Sequence, residues 1–288
     1  MLITKKRNWR NNKLKKLNSM ELVKKANELR LLSLEMINEA GGGHIGGSLS
    51  AMDIMTALYF NILNIDPENP KKKDRDRFIL SAGHKAAGYI PVLAERGFLD
   101  KKLLATFNKL DSPFGMHPDM NKISGCEMST GSLGHGLAIG LGMALALRMD
   151  NYDSRVFVLM GDGEIDEGTV WEAAMGAAHH STDNLIAIVD YNKCSMDGPI
   201  NQIINIEPIE EKWYSFGWEV RRINGHNMDE ILTALSNLPN EKGKPTVIIA
   251  DTIKGKGVSS IEGDYHWHYG LLSDKQLLSA RKKLGEEQ

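Results

Sequence analysis

The chain has 288 residues, of which 42% are hydrophobic and 25% charged, and these proportions exclude wholesale disorder, a collagen-like repeat and a disulfide scaffold. Its 35 basic and 37 acidic side chains leave a formal net charge of −2, so the global charge gives no reason to expect a nucleic acid partner. The two cysteines, Cys126 and Cys194, are far apart, and no apolar run approaches the roughly 20 residues that a bilayer requires. We therefore expect a cytoplasmic protein with no membrane segment.

The amino-terminal residues differ in charge from the rest of the chain. Residues 1–18 contain seven Lys and Arg side chains and no acidic one. A short basic arm is usually a solvated terminal segment, so we expect residues 1–18 to be a disordered leader and residues 19–288 to form one domain. An arm that touches RNA or a membrane surface is the alternative.

The first half of the chain predicts helices, glycine-rich turns and one strand. Apolar residues three or four apart predict a helix over 19–40, which ends at three consecutive glycines. Further predictions are a helix over 50–63, a buried strand over 77–81 and a helix over 84–95. Residues 108–131 are rich in Gly, Pro, Ser, Asn and Asp, and they predict a long loop of the kind that usually carries function.

The second half of the chain predicts a βαβ unit. A small-residue helix over 133–148 precedes the apolar run 156–160, as expected for a parallel strand buried on both faces. A helix over 169–180 and a second apolar strand over 185–189 follow. The remaining predicted elements are strands over 218–220 and 246–250 and a helix over 228–238. This alternation predicts an α/β fold with a doubly wound, mostly parallel sheet.

Two oxygen-bearing side chains follow neighbouring predicted strands. Asp162 lies within Gly161-Asp162-Gly163, directly after the first of these strands, and Asn192 follows the second. Ligands of open parallel sheets bind beyond the carboxyl ends of the strands, and carboxylate and amide oxygens favour Mg²⁺ that is shared with a phosphate. Gly163 allows a diphosphate to approach the backbone, and the helix that follows favours its negative charge. The pattern therefore predicts a magnesium–diphosphate site.

The segments GDGEIDEG and DYNK resemble the thiamine diphosphate-binding motif, and five further segments narrow the resemblance to transketolase. These segments occur in order and at suitable spacing: AGGGHIGGSLS, ILSAGHKAAG, FGMHPDM, STGSLGHGLAIG and TIKGKGVSSIEGDYHWH. The likeness covers nearly the whole predicted domain. It implies the diphosphate-binding domain of the thiamine diphosphate fold, with thiamine diphosphate and Mg²⁺, or Ca²⁺ or Mn²⁺ in its place, as cofactors.

The resemblance implies a role for each matching residue. The implied metal ligands are the side chains of Asp162 and Asn192 and the backbone carbonyl of Cys194. The implied cofactor contacts are His84, Gly131, Leu133, Gly163 and Glu167, and Glu167 also matches the glutamate of the family's dimer interface. The implied catalytic residues, which would line the donor-sugar site, are His44, His117 and His268.

Histidine suits the proton transfers of this chemistry, because its ordinary pKa of about 6.5 allows it to donate and accept protons near neutral pH. Three other histidines, His179, His180 and His226, are predicted to be surface or helix-end residues without a role. His266 is ambiguous, since it lies two positions before the catalytic candidate His268, and we leave it unassigned.

Two departures from the family pattern concern the edge of the site. His135 stands where many transketolases carry glutamine, and it either marks a subfamily with a different sugar or is neutral. Lys85 and Ala86 replace the small residues usually found after the Gly-His pair, so we expect the edge of the site to differ there.

The chain is less than half as long as a full-length transketolase, so the resemblance implies a subunit of a split enzyme. With a separate carboxyl-terminal subunit, which carries the pyrimidine-binding domain, it would form an α2β2 heterotetramer. The pair would transfer a two-carbon ketol unit from a ketose phosphate to an aldose in the pentose phosphate pathway. The alternatives are a relative that acts on a branched or sulfonated ketose phosphate, the α subunit of a 2-oxo acid dehydrogenase, and a cofactor-binding regulatory subunit.

Overall fold

A five-stranded parallel sheet lies at the centre of the computed structural model, which describes residues 16–286. The strands are β1 (Arg77–Leu80), β2 (Val156–Gly161), β3 (Leu185–Tyr191), β4 (Glu219–Asn224) and β5 (Thr246–Asp251). They lie in the order β1-β2-β3-β5-β4, and all four neighbouring pairs are parallel. The predicted α/β fold with a parallel sheet is confirmed, and the carboxyl ends of all five strands meet at one edge.

Helices cover both faces of this sheet. In chain order they are α1 (Ser19–Glu39), α2 (Ile45–Ser50), α3 (Met52–Ala57), α4 (Ala86–Arg96), α5 (His135–Met149), α6 (Gly168–His179), α7 (Ile200–Ile203), α8 (Ile209–Ser215), α9 (Met228–Ser236) and α10 (Asp274–Glu286). Short 3₁₀ turns cover Gly83–Lys85, Lys101–Thr106, Gly163–Asp166 and Tyr265–His268, and a π-helical turn covers Leu58–Ile62. Between residues 16 and 286, no helix is long and apolar enough to cross a membrane.

The side chains of the central strands alternate between two apolar cores. Phe157 and Leu159 of β2 face a core that α1, α3 and α4 share, whereas Val158 and Met160 face a second core with α5 and α6. Every residue of β2 and β3 is buried, as their uninterrupted apolar runs predicted. The two cores pack against both faces of the strands, and this packing positions the loops that follow the strand ends.

The predicted leader falls mostly on residues 1–15, which lie outside the described residues. Its last residues are joined to the domain. The backbone of Leu17 donates to Asn61 Oδ1 at 3.0 Å and accepts from Asn61 Nδ2 at 2.8 Å. Asn18 caps α1 reciprocally with Glu21, so α1 begins at Ser19, as predicted.

The predicted start of the second helix is wrong. The helix over 50–63 was expected to follow a glycine-rich turn, but α2 begins at Ile45 and contains Gly46 and Gly47. A Cβ atom at Gly46 would lie 2.5 Å from the Trp267 carbonyl oxygen and 2.7 Å from Cγ of Lys254. These glycines therefore permit close packing inside a helix, whereas in the sequence they have the form of a helix breaker.

Candidate functional site

Four histidines that are distant in the sequence meet at the carboxyl edge of the sheet. The ring centroid of His44 lies 5.4 Å from that of His84, 6.2 Å from that of His117 and 5.3 Å from that of His268. The His84 and His268 centroids lie 5.1 Å apart. The structure thus brings together the four histidines that the sequence selected, and we call this cluster the histidine pocket.

Backbone contacts between loops hold the histidine pocket in place. His44 immediately precedes α2, and the adjoining Gly43 exchanges two backbone hydrogen bonds with Gly270, at 3.2 and 3.0 Å, which brings the His268 turn alongside. The long loop that carries His117 is fastened to the end of β1, because the Thr130 hydroxyl donates to the Leu80 carbonyl oxygen at 2.7 Å. Each histidine is therefore set by contacts between segments far apart in the chain.

The surroundings of the pocket disfavour positively charged imidazoles. Burial, with the neighbouring Lys85 as the next cause, holds the pKa of His84 far below its ordinary value. Burial, with Lys254 next, lowers the pKa of His268 to about 4, and burial also lowers the pKa of His44. A neutral imidazole has one accepting nitrogen and one N–H donor. Nδ1 of His44 is buried without a hydrogen-bond partner in the described structure, which leaves it available to a ligand.

The lowered pKa of His268 predicts how stability depends on pH. Between pH 6.5 and about 4 the unfolded chain binds more protons at this residue than the folded chain does, so the free energy of unfolding falls as the pH is lowered through that window. In His268→Gln this contribution is absent. The free energy of unfolding, measured with urea, should therefore fall less between pH 6.5 and 4.5 than in the unsubstituted chain. The control is His179→Gln, at an exposed helix end, whose free energy of unfolding should fall by the same amount as that of the unsubstituted chain. An equal fall in all three proteins would contradict the prediction.

The predicted metal ligands lie together at the ends of the neighbouring strands β2 and β3. The Lys193 N–H donates to Asp162 Oδ2 at 2.5 Å, and the Gly163 N–H donates to Asp162 Oδ1 at 2.9 Å. Asn192 Oδ1 accepts from the Cys194 N–H at 3.1 Å. Lys193 has a positive φ of 66°, which is uncommon for a residue with a side chain and turns the backbone sharply between Asn192 and Cys194. We call this region, from Asp162 across to Cys194, the oxygen-ligand turn.

The donors of the oxygen-ligand turn fit a hard divalent cation. Burial, with the neighbouring carboxylate of Asp190 next, raises the pKa of Asp162 to about 7, and a bound cation would offset the unfavourable burial of this charge. In the described part of the chain, no group of three His, Cys, Asp or Glu side chains could hold a metal. One carboxylate, one amide and one carbonyl are instead an incomplete set, which suits Mg²⁺ that takes its remaining oxygens from a phosphate and water.

A buried lysine beside this turn was missed by the sequence analysis. Lys254 is 1% exposed, and its Nζ lies 3.3 Å from the Cys194 carbonyl oxygen, 2.9 Å from that of Ser195 and 3.5 Å from His268 Nδ1. Among residues 16–286 no carboxylate forms an ion pair with this ammonium. A buried cation without a counterion is costly, so an anion beside the oxygen-ligand turn would stabilise it. The TIKGKG segment, in which Lys254 and Lys256 alternate with Gly255 and Gly257, was the available signal.

Of the remaining predicted cofactor contacts, Gly131 borders the histidine pocket. Gly131 has a φ of +150°, and a Cβ atom there would lie 3.1 Å from Cδ2 of His117, so only glycine fits this close approach. Leu133 is half-buried two residues later. Glu167 is exposed at the start of α6, and its Cβ lies 2.6 Å from where a Cβ on Gly134 would stand. Gly163 opens a 3₁₀ turn, and α6 begins at Gly168, one residue from the predicted start at 169.

His226, predicted to be a surface or helix-end residue without a role, is instead largely buried and bonded on both ring nitrogens. Its Nδ1 lies 2.7 Å from Asp53 Oδ2, and its Nε2 accepts from the Ile253 N–H at 2.9 Å. The residue therefore joins α3 to the loop that carries Lys254. His179 and His180 are exposed at the end of α6, as predicted.

Residues 22–288 match the family model of the transketolase thiamine diphosphate-binding domain. The chain is 43% identical to the 6-deoxy-6-sulfo-D-fructose transketolase subunit SqwG of Clostridium sp. (strain MSTE9), over 93% of this chain and 98% of that one. It is 38% identical to an apulose-4-phosphate transketolase subunit of Phocaeicola vulgatus, over 93% and 94% of the two chains. The solved transketolase of Campylobacter jejuni is similar with a TM-score of 0.88 and 33% identity, over 93% of this chain and 43% of that chain.

Proposed function

Because this chain belongs to the transketolase family, we propose that the histidine pocket and the oxygen-ligand turn together bind thiamine diphosphate and Mg²⁺ for ketol transfer. The chain is the amino-terminal subunit of a split transketolase, a transferase that binds thiamine diphosphate. The observation that carries the proposed site is the convergence of four histidines at the edge of the sheet where Asp162 follows β2. Neither a 2-oxo acid dehydrogenase nor a regulatory role receives support from this arrangement or from the named relatives.

The diphosphate half of the cofactor is assigned to the oxygen-ligand turn. Asp162, Asn192 and the Cys194 carbonyl would hold Mg²⁺, and diphosphate oxygens would complete its coordination. Lys254 would provide the diphosphate with a buried positive charge, because its ammonium already lies against the Cys194 carbonyl. Gly163 and His84 are proposed to contact the diphosphate, and Gly131 and Leu133 are proposed to flank the thiamine.

The sugar is assigned to the histidine pocket. Thiamine diphosphate, when bound, supplies the chemistry that breaks and forms the carbon–carbon bond. The task of the chain is to donate and accept protons at the sugar oxygens. Nδ1 of His44, which is buried without a partner, is the atom that we assign to a hydrogen bond with the substrate. His268 is neutral near pH 7 and can accept a proton, and His117 is exposed at the mouth of the pocket.

A partner subunit is proposed to complete the pocket. The two relatives described above are named as subunits, which supports a partner for this chain as well. We propose a carboxyl-terminal subunit with the pyrimidine-binding domain and an α2β2 assembly. Exposed Met149 and Met175 on α5 and α6, together with Glu167, are candidate contacts, because large exposed apolar side chains often mark interfaces. We also propose that the enzyme is cytoplasmic and exchanges two-carbon units between sugar phosphates of pentose metabolism.

The chain without its partner is expected to be catalytically inert and to bind thiamine diphosphate poorly, because the pyrimidine half of the pocket would come from the other subunit. The measurement is transfer of a glycolaldehyde unit from a panel of ketose phosphates, with and without the co-expressed partner. Light scattering after size exclusion reports the assembly, and an obligate interface should bury upward of roughly 2,000 Å². Full activity of the purified chain alone would refute the requirement for a partner.

A further inference from the structure

A second buried lysine lies beside the oxygen-ligand turn, at the position where the sequence departs from the family pattern. Lys85 is 2% exposed, and its Nζ lies 2.5 Å from Oδ2 of Asp190, which is 0% exposed. Burying an ion pair costs about as much desolvation as the attraction returns, so stability alone is a weak reason for this pair. Unlike Lys254, which faces backbone carbonyls, this ammonium is directed to a carboxylate two residues before Asn192.

The Lys85 side chain passes two glycines on its way to Asp190, and the nearer one, Gly47, makes room for it. A Cβ atom at Gly47 of α2 would lie 3.1 Å from Cε of Lys85, and one at Gly161 would lie 3.5 Å from its Nζ. Gly161 directly precedes Asp162. The ammonium therefore lies against the backbone from which the Asp162 carboxylate extends, although the described contacts show no direct bond between the two side chains.

Asp190 connects the strand-end loops to one of the proposed metal ligands. Its carboxylate accepts hydrogen bonds from four side chains, each in a different segment: Lys85, Ser50 at 2.6 Å, Thr252, and Nδ2 of Asn192 at 3.5 Å. An amide group has donors only on its nitrogen and acceptors only on its oxygen. Because Nδ2 of Asn192 is directed to Asp190, Oδ1 is turned away from that carboxylate and toward the oxygen-ligand turn, where it accepts from the Cys194 N–H.

We propose that Lys85 is a positioning residue for the divalent cation: it compensates the buried charge of Asp190, and Asp190 in turn fixes the orientation of the Asn192 amide. The inference rests on the proposed function only for the identity of the cation and its phosphate partner. Groups that orient metal ligands typically change metal affinity by 10- to 100-fold when they are removed. We expect a change of that size for Lys85, although it does not touch the cation.

The test is Mn²⁺ binding to the full chain in the presence of inorganic diphosphate, measured by electron paramagnetic resonance. This probe requires neither the partner subunit nor turnover, so its result is independent of the ketol-transfer assay. In Lys85→Met the dissociation constant of Mn²⁺ should rise by about 10- to 100-fold. The matched control is Arg155→Met, which breaks the ion pair of Arg155 with the buried Asp76, 2.7 Å apart, at the amino end of the sheet. Its Mn²⁺ affinity should stay within twofold of the unsubstituted chain.

Each outcome decides the proposal. A folded Lys85→Met chain with unchanged Mn²⁺ affinity overturns it, and so does an equal loss in Arg155→Met, which would show a general effect of destabilisation. If Lys85→Met does not fold, the double variant Lys85→Met with Asp190→Asn removes both charges. It should still lose at least tenfold in affinity, because an amide at position 190 can present either end to Asn192, and unchanged affinity there overturns the proposal. An unsubstituted chain that binds no Mn²⁺ overturns the cation site itself, whatever the assay of ketol transfer shows.

Discussion

Asp162→Ala is expected to abolish the stabilisation that thiamine diphosphate with Mg²⁺ gives to the assembled protein. A ligand that binds only the folded state, present at 100 times its dissociation constant, raises the free energy of unfolding by about 2.7 kcal/mol. Without the Asp162 carboxylate the oxygen-ligand turn keeps only an amide and a carbonyl, which hold Mg²⁺ weakly. The measurement is thermal unfolding of the variant with and without cofactor and metal, and with metal removed by a chelator.

The same substitution should change the ligand-free protein much less. Burial raises the pKa of Asp162 to about 7, so the ionised carboxylate is unfavourable in the folded state without a cation, and its removal relieves part of that cost. Asp197→Ala is the matched control, because Asp197 is an exposed carboxylate in the loop that follows Cys194. Its cofactor-dependent stabilisation should be unchanged. Full stabilisation of Asp162→Ala would remove this residue from the metal site.

His268→Ala should reduce turnover by about 10²- to 10⁴-fold, the usual contribution of a positioned acid–base group, with cofactor affinity nearly intact. The reason is its place in the histidine pocket, 5.3 Å from the ring of His44, where its lowered pKa leaves the imidazole neutral near pH 7. Turnover is measured in the complex with the partner subunit, and cofactor affinity is measured by titration of the same preparation.

His84→Ala should show the opposite pattern from His268→Ala: its main effect should be weaker cofactor binding. His266→Ala is the control for both variants: it lies in the same 3₁₀ turn as His268, but its side chain is 70% exposed and bonds to Asp264. Its turnover and cofactor affinity should both match the unsubstituted protein. If His268→Ala weakens binding and His84→Ala slows turnover, the assignment of the two roles is wrong even though the family is right.

Local sequence patterns determined the central sheet and most of the candidate site. The apolar runs of β2 and β3 are continuous in the sequence, and such runs are buried in a parallel sheet whatever surrounds them. Asp162 and Asn192 were selected because they follow those two strands. Parallel neighbours end at the same edge, so their proximity follows from chain order. The histidines of the pocket were selected from short glycine- and proline-containing segments, which are also local signals.

Only the tertiary structure decided the helix boundaries and side-chain contacts that depend on packing between distant segments. Gly46 and Gly47 have the local form of a helix breaker, yet they lie inside α2. Glycine is needed there because the Lys254 and Lys85 side chains occupy the space that a larger residue would fill. The contact of His226 with Asp53 joins residues 173 positions apart, and no sequence pattern around either residue predicts it.

The two buried lysines show most directly why these features could not be predicted from the sequence. From the sequence, Lys85 lies at the start of a predicted helix and Lys254 in a glycine-rich segment, and lysine side chains are usually exposed. Their burial follows from what surrounds them: Asp190 for the first, and the Cys194 and Ser195 carbonyls for the second. The free energy of a buried charge depends on partners brought close by the fold. For this protein, therefore, the sequence by itself determined which residues stand at the sheet edge, and the tertiary structure decided which charges surround them.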